Sequence, residues 1–200
     1  MTTEIKLFNK WSFDELKITD EGLVQYITIK PQLVPKSGGQ HAKKQFHKSK
    51  VNIVERLVNK LFVAGHKGKK HKFSSGTNVG KSFMIMKGVE DAFIKIEENT
   101  KENPIQVLIT AIENSAPMEE VVTYQRGGSF ARNAVITSPQ RRIDLALKHI
   151  AQGTYQTTTK AKKTLAQALS EQIIGTSKND TNLLSIREKQ RREKEAAGAR

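Results

Sequence analysis

Residues 104–115, PIQVLITAIENS, constrain this chain more than any other stretch. Asn103-Pro104 is a helix start, a capping side chain followed by proline at the first helical position. The helix that follows is apolar at Ile105, Val107, Leu108, Ile109, Ala111 and Ile112, so it lacks a broad polar face. Such a helix has to be surrounded and belongs at the centre of a bundle. The surrounding helices are legible too. In VNIVERLVNKLFVAG, Val54, Leu57, Val58, Leu61 and Phe62 form a continuous stripe at helical spacing, with Gly65 as its stop. A second helix is predicted from about Ser82 to Glu98, with Met86, Val89, Phe93 and Ile96 on one face. Ser138-Pro139 opens another, PQRRIDLALKHIAQ, which Gly153 is expected to end. A further helix is expected from about Thr159 to Ile174, through Leu165, Leu169 and Ile173, closed by Gly175.

One segment breaks the helical period. VVTYQRGGSFARNAVIT is rich in β-branched and aromatic residues with Gly127-Gly128 in its middle, the pattern of a β-hairpin. The predicted fold class is therefore mostly α: a helical bundle with one protruding β-hairpin inserted between later helices, plus extended terminal segments. An isolated two-stranded hairpin is marginal in water. This one carries a basic, small tip, which suits docking along a nucleic-acid groove better than completing a core; the alternative is a hairpin folded back on the helices. Residues 1–36 form an N-terminal extension, in which VQYITI (24–29) reads as a short strand. Residues 37–175 form the helical domain, with the hairpin at about 118–137. Residues 176–200 form a basic C-terminal tail, which in isolation is a frayed helix or disordered. Two hundred residues suit one compact domain with flexible ends, or at most two small ones.

The net charge of +14 predicts strong attraction to polyanions. Its layout is uneven. From Lys36 to Lys72 there are eleven Lys/Arg and one acid, Glu55. From Met84 to Glu120 there are three Lys and eight acids, and from Val121 to Lys163 eight Lys/Arg against Asp144 alone. A surface built only for solubility intersperses its signs. Two basic blocks around an acidic middle suggest one face for an anion and another for water or protein.

Several chemistries are excluded. There is no cysteine, so disulfides, thiolate metal sites and thiol catalysis are absent. No apolar run approaches the roughly 18 residues that span a bilayer, and MTTEIKLFNKW lacks a secretion-signal pattern; a soluble, intracellular protein is expected. GTNVGKS (76–82) resembles a nucleotide-binding phosphate loop, but the first glycine of that motif would fall at position 75, which is Ser75. GKKHKF before it is no buried strand. An enzyme transferring phosphoryl groups through Lys81 is therefore not expected, and the loop is either a cradle for another phosphate or a solvated insertion. His41, His47, His66 and His71 lie in the basic block, where base or phosphate contact is favoured over metal. His149 reads as a surface residue near a helix C-terminus. Glu97-Glu98 and Glu119-Glu120 read as solvated charges. No reaction centre, metal or cofactor is predicted.

Phosphate-contact chemistry remains, in three places. The first is Lys43, Lys44, Lys48 and Lys50, leading into the helix with Arg56 and Lys60. The second is the loop from Lys67 to Lys81, with Lys69, Lys70 and Lys81. The third joins Arg126, Gly127, Gly128 and Arg132 on the hairpin to Arg141, Arg142, Lys160, Lys162 and Lys163. Arg141 and Arg142 stand near a helix N-terminus, where the dipole disfavours cations, so an anion is expected to meet them. Aromatics are few (one Trp, three Tyr, eight Phe), a poor composition for stacking on single strands. Recognition of a folded RNA by shape, phosphate and 2′-OH contacts is favoured, with a free DNA-binding protein as the alternative.

The order of features resembles the universal small-subunit ribosomal protein S-seven family, called S-five in eukaryotes. The resemblance rests on KLFNKWSFDELKITDEGLVQYI, NIVERLVNKLF, ENPIQVLITAIENSAP, RGGSFARNAV, SPQRRIDLALKHIAQG and KTLAQALSEQII, in order along nearly the whole chain. The N-terminal segment is similar to the archaeal–eukaryotic branch. The resemblance implies a non-enzymatic ribosomal constituent bound to the 3′ major domain of small-subunit rRNA. It also implies early assembly of the subunit head and a place beside exit-site tRNA and the mRNA exit path. Its implied partners are rRNA, mRNA and tRNA in passing, and neighbouring head proteins, with no membrane. The implied location is the cytoplasmic ribosome, with a nucleolar stage in a eukaryote. By position, Lys43–Lys50, Arg126–Arg132 and Arg141-Arg142 face rRNA. Arg126, Arg132, Arg191, Arg192 and Arg200 lie towards tRNA and mRNA. The loop His66–Lys81 departs from the family in length, so Gly68-Lys69-Lys70 and Gly80-Lys81 compete for one family position.

Overall fold

The computed structural model describes residues 5–62, 78 and 80–200, with side chains described for all of these except Arg126, Thr159 and Lys160. The phosphate-loop-like stretch, apart from Asn78 and Gly80–Ser82, and Lys69 and Lys70 lie outside the described residues. Two short 3-10 turns, Gln40–Lys43 and His47–Lys50, lead into helix α1, Ile53–Leu61. Helices α2, Ser82–Thr100, and α3, Pro104–Ser115, follow. Strands β1, Glu119–Arg126, and β2, Ser129–Ile136, form the hairpin. Helices α4, Pro139–Ala161, α5, Leu165–Ser177, and α6, Leu184–Ala197, complete the order.

The all-apolar helix takes the place its composition demands. In α3 Pro104, Ile105, Val107, Leu108, Ile109, Ala111, Ile112 and Ser115 are all buried, and α2, α4, α5 and α6 pack around it. Asn103 starts it as expected: its Oδ1 accepts the Ile105 N–H at 3.0 Å, and its Nδ2 reaches the Ser12 carbonyl at 2.9 Å. One side chain thus caps the central helix and ties the N-terminal segment to it.

That N-terminal segment is part of the core. Leu7, Trp11, Phe13, Leu23 and Ile27 are buried in the same cluster as the helices. Trp11 packs edge-on against Phe93, with ring centroids 5.6 Å apart, and its indole N–H donates to Glu97 at 2.9 Å. Residues 24–29 form turns rather than the expected strand, with one bridge from Thr28 to Asn52. Here the Tyr26 and Ile27 N–H groups bond the Leu23 carbonyl at 2.9 and 3.0 Å, which places both Leu23 and Ile27 inward.

Two glycines do not act as the expected helix stops. Helix α4 runs through Gly153 to Ala161, and α5 runs through Gly175 to Ser177. A β-carbon at Gly153 would stand 2.5 Å from Gln172 Oε1, and one at Gly175 would stand 2.5 Å from Leu183 Cδ1. Both glycines give room for a side chain from the neighbouring segment. The break between these helices comes instead at Lys162, in the left-handed region at φ 51°, and at Thr164, which forms a reciprocal capping box with Gln167.

The hairpin pairs in register from Glu119 opposite Ile136 to Arg126 opposite Ser129. Gly127 and Gly128 have φ of 56° and 88°, the conformation a two-residue primed turn requires and glycine adopts without steric cost. Helix α6 covers the root of the ribbon, while Val122 to Gln125 and Gly127 to Phe130 are exposed apart from the undescribed Arg126 side chain. The C-terminal segment therefore contradicts the expectation of fraying. Leu184, Ile186 and Ala196 are buried, and α6 packs on β1 and α4.

Candidate nucleic-acid interface

The first basic group divides in two. Lys43, Lys44 and Lys50 sit exposed on the two 3-10 turns, and none has an ion-pair partner among the described residues. Lys48 turns inward and donates to Asp144 Oδ2. Arg56, at 3% side-chain exposure, is interior: Nη1 donates to the Tyr26 carbonyl at 3.1 Å and Nη2 lies 3.4 Å from Asp144 Oδ1. The side chain expected to contact rRNA thus lies inside the fold, engaged by groups of the chain itself. Lys60 Nζ completes the group at 3.7 Å from the same Oδ1. Burial pushes the Asp144 carboxyl up, but the Lys48 hydrogen bond and the charges of Lys60, Arg56 and Lys48 outweigh it, leaving the pKa below the ordinary value. Burial holds the Lys60 ammonium below its ordinary pKa; Asp144 opposes this, and repulsion from Lys48, Arg56 and Lys148 adds to it.

In the second group Lys81 is exposed at the N-cap of α2. Lys69 and Lys70 are outside the described residues. In the third, Arg132 is exposed on β2, opposite Thr123. The side chains of Arg126 and Lys160 are not described. Lys162 is exposed at the end of α4, and Lys163 pairs with Glu171 at 2.7 Å.

Arg141 and Arg142 do meet anions, but carboxylates of the chain itself. Arg141 grips Glu120 in a two-pronged pair, Nε to Oε1 at 2.5 Å and Nη2 to Oε2 at 2.8 Å, and keeps a side-chain exposure of 54%. The Glu120 hydrogen bond raises the guanidinium pKa. Arg142 is buried and donates to Asp20 Oδ2 at 2.7 Å. The expectation that an external anion meets both is corrected: Arg142 is an internal tie between α4 and the N-terminal segment, while Arg141 retains an open side.

The expected tail is also engaged. Arg192 Nη1 lies 3.5 Å from Glu120 Oε2, and Arg200 pairs with Glu119. Arg191 bonds Glu188 and Glu195 within α6. Lys189 donates to the Asn114 carbonyl at 2.9 Å, and Glu193 accepts the Met118 N–H at 3.1 Å. Glu120 is therefore a buried hub rather than a solvated charge. The acids of the middle block serve the N-terminal segment: Glu113 accepts the N–H groups of Thr19 and Asp20, and Glu90 pairs with Lys10 at 2.7 Å.

His149 was expected on the surface and is buried, because α4 continues past it. Burial, then the charge of Arg192, pushes its imidazole down to about 4, with the charge of Glu188 and the proximity of the Gln152 side chain opposing. Residues missed by sequence reasoning are thus Glu120, Asp144 and His149, whose partners lie far along the chain. Among the described residues no group of three or more His, Cys, Asp or Glu could hold a metal, and no helix is long and apolar enough to cross a membrane. Among the described residues the arrangement pairs basic side chains with carboxylates of the chain itself.

Residues 23–200 match the family model described as ribosomal protein S7p/S5e. The chain is 42% identical over 197 residues to small ribosomal subunit protein uS7 of Nanoarchaeum equitans, covering 98% of this chain and 100% of the relative. It is 39% identical over 195 residues to the protein of that name from Methanococcoides burtonii, covering 98% and 99%. With that of Haloarcula marismortui it shares 40% identity over 199 residues, covering 100% of this chain and 90% of the relative.

Proposed function

The chain belongs to the ribosomal protein S7p/S5e family, and from that membership we propose that it binds the 3′ major domain of small-subunit rRNA, helps to assemble the subunit head, and stands beside exit-site tRNA and the mRNA exit path. It is a non-enzymatic structural component of the small ribosomal subunit. Its relatives carry the name of a small-subunit protein, and the finer reading is supported by where uncommitted positive charge lies. Lys43, Lys44, Lys50, Lys81, Arg132 and Lys162 are exposed and have no ion-pair partner among the described residues. The acids of the chain are largely used to hold its own segments together, so this charge is free for phosphate. A ribbon with an exposed tip and a Gly127-Gly128 turn allows close backbone approach to a groove.

Filter binding of the intact protein to a 3′ major domain rRNA fragment tests this, with 5′-domain rRNA and duplex DNA as competitors over a salt series. Only the head fragment should compete effectively, and log affinity should fall steeply and linearly with log salt. Equal competition by duplex DNA would replace this reading with that of a free DNA-binding protein. For the exit-site placement, a photocrosslinker at Gly127 in translating subunits should label mRNA or tRNA; labelling of rRNA alone removes that part.

A further inference from the structure

We propose that the half-open cleft between the His47–Lys50 turn, α1 and α4 is a phosphate site, built by Lys48, Arg56, Lys60 and His41 around Asp144. The cleft has a volume of about 140 Å³, well above the roughly 10–15 Å³ that admits one water, and accommodates a phosphate group. His41, Lys48, Arg56, Asn59, Lys60 and Asp144 all line it.

Charge and unmet hydrogen-bonding capacity both point to an anion. Three basic side chains surround one carboxylate, an excess that a single oxyanion would relieve. Lys48 already takes Asp144 Oδ2. Lys60 stands at 3.7 Å from Oδ1, an ion pair too long for a hydrogen bond. Arg56 reaches Oδ1 only at 3.4 Å, and its Nε is buried with no partner among the described residues. The Nδ1 of His41 is likewise buried without one. Polar atoms withdrawn from water and left unpaired are costly, and native structures rarely leave them so. A tetrahedral oxyanion offers acceptors in several directions, whereas Asp144 makes one close contact, to Lys48, and lies too far from Lys60 to bond it. Crowding by Lys48, Arg56 and Lys148 is felt at Lys60, as expected of a site short of negative charge. The source of the phosphate rests on the proposed function: an RNA backbone that crosses the exposed Lys43, Lys44 and Lys50 can lower one phosphate into this cleft.

The test uses the intact chain in two arms. In the first, the melting temperature is followed against inorganic phosphate at constant ionic strength set with chloride. Wild type should show a saturable rise, which Lys60→Met abolishes, Lys60→Arg retains and Lys43→Met leaves intact. In the second, the salt dependence of binding to head-domain rRNA is compared. Lys60→Met should lower the slope by about 1 and weaken binding several-fold at low salt. No phosphate response in wild type, or an equal response in Lys60→Met, overturns the site. A phosphate response with an unchanged RNA slope keeps the site and overturns the RNA backbone as its source. Wild-type affinity for head rRNA in the same series tests the broader function separately.

Discussion

Two acidic residues, Asp144 and Glu120, each sit among basic side chains, and the two surroundings are built to different ends. Around Glu120 the charges are more nearly matched, three arginines to the two carboxylates of Glu119 and Glu120. Arg141 engages it through two short hydrogen bonds, Arg192 approaches the second oxygen, and the neighbouring Glu119 takes Arg200. This is a clasp that fastens α6 and α4 to the root of the ribbon, and its arginines remain partly solvated. Around Asp144 the charges are unmatched, with Lys48, Arg56 and Lys60 sharing one carboxylate and Arg56 almost wholly buried. Counting acids and bases along the chain places Glu120 at the end of the acidic block and Asp144 alone in a basic one, and neither count reveals the partners. Only the pairing tells a surface already neutralised from one that still calls for an anion.

The sharpest way to break this comparison is to remove each acid. Asp144→Ala leaves the buried Arg56 charge without its carboxylate, and a broken buried pair costs about 3–5 kcal/mol. Urea unfolding should report that loss, and added phosphate should recover part of it. A loss below about 1 kcal/mol would mean that Asp144 is dispensable to the group.

Next to the clasp stands His149, within reach of the charges of Arg192 and Glu188, and it gives this region a pH dependence of its own. The folded pKa of about 4 lies below the ordinary 6.5. Folding therefore favours the neutral ring; its contribution is complete above pH 6.5 and is lost as pH falls from 6.5 towards 4. The loss is about 3 kcal/mol. The difference in unfolding free energy between wild type and His149→Leu should change with pH by that amount within this window, and a flat difference would count against a buried neutral ring.

Glu120→Ala should cost less, about 1.5–3 kcal/mol for lost charge-assisted hydrogen bonds, because Arg141 and Arg192 can regain water. Phosphate should restore no more stability here than in wild type, which separates the clasp from the cleft. The smallest effect belongs to Arg132→Ala, within about 0.5 kcal/mol in stability for an exposed residue. Its measurable consequence is a salt slope for rRNA binding lowered by about 1.

What was legible in the sequence was local. The all-apolar α3, its Asn103 cap and the Gly127-Gly128 turn are each specified by residues a few positions apart, and the structure has them where the pattern puts them. Gly153 and Gly175 were misread because a glycine that ends a helix and one that admits a neighbour look alike. The choice is made by Gln172 and Leu183, which sequence does not reveal as contacts. The basic residues of the candidate interface were likewise visible as a set, but not which of them are spent. Lys48 and Arg56 find Asp144 across 96 and 88 residues, and Arg142 finds Asp20 across 122. Helix α6 was mistaken for a frayed end because its anchors are the carbonyl of Asn114, the N–H of Met118 and two glutamates of β1.

The tie between Asp20 and Arg142 also sets a timetable. The segment holding Leu7, Trp11 and Phe13 is made first, yet Trp11 cannot stack until Phe93 exists, and Asp20 waits for a residue 122 positions later. At roughly 5–20 residues per second of synthesis, that wait is on the order of ten seconds. For that time the nascent chain carries an exposed aromatic stretch with nothing to bury it against, followed by a strongly basic run in the presence of abundant RNA. The amino-terminal segment, although the first to emerge, completes its ties only once Arg142 has been made.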